Sequence, residues 1–127
     1  MPANGAIVGV RNVTRGTTVA SDVRVARSFL SRGRGLLFAS GLPADSGLLN
    51  DPCGSIHMFF MRFALDVLYV DREDRVVRAQ RRIKPWRMGP IHTRGAKYVI
   101  ELPVGTIERS GSDVGDQLHI VERGGRE

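Results

Sequence analysis

Apolar residues run almost unbroken from Ile56 to Val70, interrupted by His57, Arg62 and Asp66, with Ser55 before the run and Asp71 after it. The run is shorter and more polar than the about 20 mostly apolar residues that a membrane-crossing helix needs. It reads as the central strands of a compact core, broken near residues 62–64, with a few polar side chains held against it. Upstream, residues 6–13 alternate well enough for a strand, residues 14–17 make a turn, and a short return strand follows through Val19. Ser21 and Asp22 then offer an N-cap oxygen. Val23, Ala26 and Leu30, flanked by Val25 and Phe29, recur at helical spacing up to Gly33 and Gly35, so a helix of about three turns is predicted there.

Downstream the strand signals dominate. Residues 47–49 are short and apolar, and residues 50–52 form a turn. A charged hairpin turn at residues 71–75 joins 67–70 to 76–83. Strict alternation in that second arm puts Val77, Ala79 and Ile83 on one face and Arg78, Gln80 and Arg82 on the other. Residues 97–102 and 117–122 complete the strands, with a helical turn at 106–110 and a tight turn at 114–116. The predicted class is α+β: a strand-dominated single domain, an antiparallel sheet or partly closed barrel, with one main helix near the N-terminus. The domain spans residues 1–127, its core about 6–122, and 123–127 form a frayed tail.

Composition changes this picture in one respect. The hydrophobic and charged fractions, 42% and 25%, are those of ordinary globular chains. The formal charge of +6 is not, and 17 of the 19 cationic residues are arginine. Arginine content of this kind reflects either overall residue usage or an anion-facing surface, because the guanidinium grips phosphate or carboxylate with two hydrogen bonds. The single cysteine, Cys53, excludes an internal disulfide. The first residues lack the cationic and apolar segments of a secretory signal, so a cytoplasmic location is expected, without a membrane.

Three groups of residues can carry chemistry. Cys53, His57, Asp66 and His92 are of the types that ligate zinc or make a nucleophile and its base. An extended strand, however, separates Cys53 from His57 by roughly 13 Å, too far to share a metal or a proton. The second group is basic: no acidic residue lies between Asp74 and Glu101, whereas Arg75, Arg78, Arg81, Arg82, Lys84, Arg87, Arg94 and Lys97 do, together with Trp86 and His92. Basic residues interleaved with aromatics on a sheet suit single-stranded nucleic acid or another anion. The third is the carboxylate set Asp66, Asp71, Glu101 and Asp116. Asp71 and Asp116 sit in turn contexts that use Asp to bond their own backbone. Asp66 sits inside the apolar run, where an uncompensated charge costs several kcal/mol. It must meet backbone N–H groups or a cation, Arg62 being one candidate.

Four blocks, Arg34–Phe38, Gly47–Leu49, Ile56–Val67 and Tyr98–Thr106 followed by Gly115 and Asp116, resemble in order and spacing the family known as domain of unknown function 192. The resemblance covers roughly Val10 to Ile120. His57 to Met61 stand where many members carry Trp-Met-Lys-Asn-Thr, which places the chain with the His-containing branch, and Ala64 replaces a usual proline. The resemblance implies a strand-dominated α+β domain and brings no activity, cofactor or catalytic residue.

No phosphate-cradling glycine loop, Gly-x-Ser-x-Gly elbow or His-Glu-x-x-His motif occurs. The expected function is therefore a non-enzymatic binding or accessory module. It uses His57, Asp66, Arg78, Arg82, Trp86 and His92 to hold an anionic ligand or partner, or nucleic acid, with neither cofactor nor metal. The rivals are a small hydrolase or metal-dependent enzyme centred on Cys53, His57, Asp66 and His92, and a structural protein–protein interaction domain.

Overall fold

A computed structural model describes residues 2–27, 41–52, 63–84 and 93–123. Seven strands form one sheet: β1 (Ile7–Asn12), β2 (Thr17–Ala26), β3 (Ser46–Asn50), β4 (Leu65–Val70), β5 (Val76–Ile83), β6 (Tyr98–Leu102) and β7 (Leu118–Glu122). A five-residue helix, α1 (Thr106–Ser110), lies between β6 and β7. The strand order is β5-β4-β6-β3-β2-β1-β7. The sheet curls until its two edges meet at an isolated antiparallel bridge between Arg75 and Gln117, reinforced by Val76 N–H to the Asp116 carbonyl and Leu118 N–H to the Asp74 carbonyl. A partly closed barrel results.

Two expectations need correction. Residues 21–26 do not begin a helix; they are the second half of β2, pairing with β1 on one side and β3 on the other. The described part of the helix expected near the N-terminus is strand, its remaining stretch up to Gly33 and Gly35 lies outside the described residues, and the only helix among those described is α1 in the C-terminal half. The helical appearance has a physical source. Val23 and Val25 point into the barrel and Ala26 is buried on the opposite face, where Arg24 is exposed, so apolar positions three apart imitate a helical stripe. Bulges in β2 opposite Val8–Val10 and Val10–Arg11 shift the alternation further. The second correction is that the sheet is mixed: β2 and β3 run parallel, every other pairing being antiparallel.

The inner core gathers Val8, Val10, Val23, Val25, Leu49, Leu68, Val70, Tyr98, Ile100, Leu102 and Leu118, with Ile107 of α1 inserted from one side. On the other face of β3, β4 and β6 a second cluster contains Leu48, Leu65, Val67, Tyr69, Ile83 and Val99. Burial of β4 on both sides explains why it reads as a continuous apolar run instead of alternating. Close packing also selects Gly47: a Cβ there would come within 2.9 Å of both the Glu101 carbonyl oxygen and Leu102 Cδ2. Gly47→Ala is therefore expected to destabilise the protein by about 2 kcal/mol, the usual scale of overpacking against backbone that cannot move away. The shift of the urea midpoint measures it, and an unchanged midpoint would mean that β3 and β6 can separate freely.

Candidate functional site

Asp66, on β4, faces the barrel interior and is 1% exposed. Its Oδ2 accepts hydrogen bonds from Gly105 N–H at 3.1 Å and Ile107 N–H at 3.0 Å, and its Oδ1 accepts from Arg82 N–H at 3.0 Å. The apolar context thus finds its compensation in backbone donors, one of the two alternatives read from the sequence; Arg62, the other candidate, lies outside the described residues. Gly105 can present its N–H because it adopts φ +98°, a conformation costly for any residue with a Cβ. Asp66 closes the start of α1 and the far end of β5 together.

The β5 partner is unusual. Leu65 pairs with Ile83 and Val67 with Gln80, so Arg81 and Arg82 together oppose Asp66 in a bulge, with Arg82 at φ +53°. A second irregularity lies opposite Tyr69 and Val70. The expected alternation in this arm therefore fails twice. Val77 packs with the outer cluster and Ala79 with the inner one. Arg78, Gln80 and Ile83 pair in turn with Tyr69, Val67 and Leu65 on the outer face, while Arg82 falls in the bulge. Asp66 and Arg78 lie on opposite faces of the sheet, so the candidate residues do not form one cluster. His57, Trp86, His92 and Cys53 lie outside the described residues.

The outer face carries the polar groups in two neighbouring rows across the sheet. One runs Arg78, Tyr69, Val99, Asn50; the next runs Gln80, Val67, Glu101, Leu48. The Arg78 guanidinium sits 5.8 Å from the centre of the Tyr69 ring, a cation–π contact, and the Tyr69 hydroxyl donates to Gln80 Oε1 at 2.8 Å. At the end of β3 the Asp51 carboxylate, 1% exposed, accepts from Arg27 Nη1 at 2.9 Å and from Lys97 Nζ at 3.2 Å. Arg27, which a helix over this segment would hold on its exposed side, is instead a partner of a buried acid.

Two groups in this region are poorly compensated. Burial pushes the Glu101 carboxyl up to about 7, and a hydrogen bond with Asn50 works only partly against it. Asn50 is 4% exposed, and its Oδ1 has no hydrogen-bond partner. The sequence placed Glu101 among the carboxylates without separating it from the others. A sign was available, since Glu101 sits between Ile100 and Leu102 in an apolar strand, as Asp66 does in β4.

Asp116 behaves differently. Burial alone would push its carboxyl up, yet Arg15, Asn12 and Asp113 N–H all donate to it and hold it below the usual carboxylate range. Asn12 also bonds Ser112, which contacts Ser110. This network ties β1, α1 and the 114–116 turn together and is structural. Asp71 likewise binds its own turn, accepting from Glu73 and Arg75 N–H at 2.9 Å each. Among the described residues no group of three or more His, Cys, Asp or Glu can hold a metal, and no helix is long and apolar enough to cross a membrane.

Comparison with known proteins places these features in a wider group. A family model, DUF192, described as uncharacterized ACR, matches residues 10–120. A UPF0127 protein of Thermococcus sibiricus is 36% identical over 115 residues, spanning 84% of this chain and 71% of that one. A UPF0127 protein of Pyrococcus furiosus is 36% identical over 114 residues, spanning 84% and 93%. Among crystal structures, a Sinorhizobium meliloti protein put forward as a transcription regulator matches with a TM-score of 0.76 at 25% identity, over 91% of this chain and 92% of that one. A protein of unknown function from Novosphingobium aromaticivorans matches with a TM-score of 0.76 at 22% identity, over 94% and 89%.

Proposed function

The chain belongs to the DUF192 family, and we propose that within this fold it acts as a non-enzymatic binding module whose outer sheet face, around Arg78, takes an anionic ligand or partner. The observation that carries this reading is the state of Arg78. Its guanidinium is half-buried over Tyr69 and has no carboxylate partner among the described residues. An arginine immobilised on a ring keeps its donor fork free and loses little entropy when an anion arrives. Arg81, Arg82, Lys84 and Arg94 also lack ion pairs among the described residues, and the chain carries a formal net charge of +6, which favours an anion over a cation as ligand.

The chemistry of Asp66 favours a binding module over a catalyst. Both of its oxygens are taken by three backbone N–H groups inside the barrel, away from Arg78. A carboxylate used in this way is not free to ligate a metal or to shuttle a proton.

Phosphate-bearing polymers are the natural probes, single-stranded oligonucleotide among them. Arg78→Gln is expected to weaken oligonucleotide binding several-fold in fluorescence anisotropy, and to lower the salt slope by about 0.7 for each phosphate that the variant no longer neutralises. Arg72→Gln, in the exposed hairpin turn, removes the same charge elsewhere and serves as the control. Equal effects in the two variants would mean that bulk charge alone is acting and that Arg78 marks no site.

A further inference from the structure

Tyr69 holds more than Arg78. Its ring carries the Arg78 guanidinium 5.8 Å from its centre, and its hydroxyl donates to Gln80 Oε1 at 2.8 Å. One buried aromatic side chain thus touches two half-buried side chains of β5. Tying down Oε1 fixes the sense of the amide, since one end of that group accepts and the other donates. Gln80 Nε2 is left with two N–H donors and no acceptor among the described residues. Glu101, the acid in these two rows, stands beyond Val67 and makes no ion pair with Arg78.

We propose that Gln80 is the second ligand-binding residue of the anion site and that the group it selects is a phosphomonoester. The inference rests on the reading of Arg78 as the residue that holds the anion. The guanidinium fork takes two oxygens side by side. A carboxylate has only two, and the fork uses both. A phosphomonoester has a third terminal oxygen, which points out of the plane of the fork. The Gln80 donor, two residues along the same face of the strand and about 7 Å away at Cα, takes that oxygen. A diester inside a nucleic acid strand has two unesterified oxygens and falls with the carboxylate.

Tyr69 is a positioning residue in this arrangement and acts through the two others. Its ring supports the fork, and its hydroxyl keeps the donor end of the amide available for the ligand. Both β5 side chains are half-buried, so an ion from solvent reaches them without opening the sheet.

The test is an NMR titration of the isotopically labelled full chain with methyl phosphate and, separately, with acetate. It is run at pH 8, where the monoester is a dianion because its second pKa is about 6. The backbone amides of β5 and the Gln80 side-chain amide are followed. The proposal expects methyl phosphate to shift both sets saturably. Gln80→Leu, which keeps the bulk and removes the amide, should weaken methyl phosphate about fivefold and leave acetate unchanged. Tyr69→Phe keeps the ring under Arg78 and removes the hydroxyl. It should weaken methyl phosphate about threefold and again spare acetate, whereas a merely structural loss would weaken both anions alike. Arg78→Gln should weaken both anions by more than about fivefold. A 5′-phosphorylated trinucleotide separates the two sources of such a group. Binding tighter than that of methyl phosphate places it at a strand end and equal binding on a small molecule, with the loss in Gln80→Leu expected in either case. Methyl phosphate bound equally by Gln80→Leu and the parent, or acetate weakened as much as phosphate in that variant, would overturn the assignment of Gln80. Arg78→Gln would still weaken both anions in that event, leaving Arg78 in place as the anion-holding residue. Arg78→Gln without effect on either anion would overturn both readings together.

Discussion

Asp66→Ala is expected to cost about 3–5 kcal/mol of folding stability, because three backbone N–H groups donate to this carboxylate and truncation strips all three of their acceptor where water has little access. Each buried donor left unmet costs about 1–3 kcal/mol, partly offset by relaxation of the short helix and of the bulge. Asp71→Ala is the proper comparison. That carboxylate also accepts two backbone N–H groups, but in an exposed turn where water replaces it, so its loss should cost less than about 1 kcal/mol. Urea unfolding of both variants separates the cases. Equal small losses would show that α1 and the β5 bulge hold together without Asp66.

The second large effect is a dependence of stability on pH carried by Glu101. Its carboxyl loses its proton near pH 7 in the folded protein and near 4.5 when unfolded. Below about pH 4.5 both states hold the proton and the contribution to stability is complete. Between 4.5 and 7 the unfolded chain releases its proton while the folded protein retains it, so stability falls as pH rises, by about 1.4 kcal/mol per pH unit. Above about 7 the loss is complete, at roughly 3 kcal/mol. Glu101→Gln keeps the shape and cannot ionise. It should remove this slope and exceed the parent at pH 8 by about 3 kcal/mol, with little difference at pH 5. Asp116 acts in the other sense, since its contribution is lost as pH falls, and the variant-minus-parent difference cancels it. Chemical denaturation at half-unit steps from pH 5 to pH 8 gives the curve. A constant difference across that range would mean that the Glu101 carboxyl is hydrated as in the unfolded chain.

Several features of the molecule were written locally in the sequence. The hairpin of β4 and β5 follows from an apolar run, a charged turn and a second extended arm. The turn at 71–75 closes on Asp71 as its residue types require. The helical turn at 106–110 and the last strand follow in the same way. The need of Asp66 for donors was also local in origin, because a carboxylate in an apolar run must be compensated wherever the chain goes.

The tertiary structure alone decided which donors answered it. Gly105, Ile107 and Arg82 approach Asp66 only because α1 and the end of β5 pack beside β4. It also decided the identity of β2, whose apolar residues at 23, 25 and 26 fit a helix by spacing and a strand by neighbours. Pairing with β1 and β3 on both sides settled the matter, since a central strand meets its hydrogen-bonding needs through partners far along the chain. The bulges in β5 separated Arg78 from Arg82, and an inserted residue leaves no periodic trace in a strand of eight residues. Glu101 became a weakly compensated acid for a related reason. Its neighbours, Asn50 and the residues that bury it, come from other strands, and desolvation is a property of the assembled sheet instead of the segment that carries the charge.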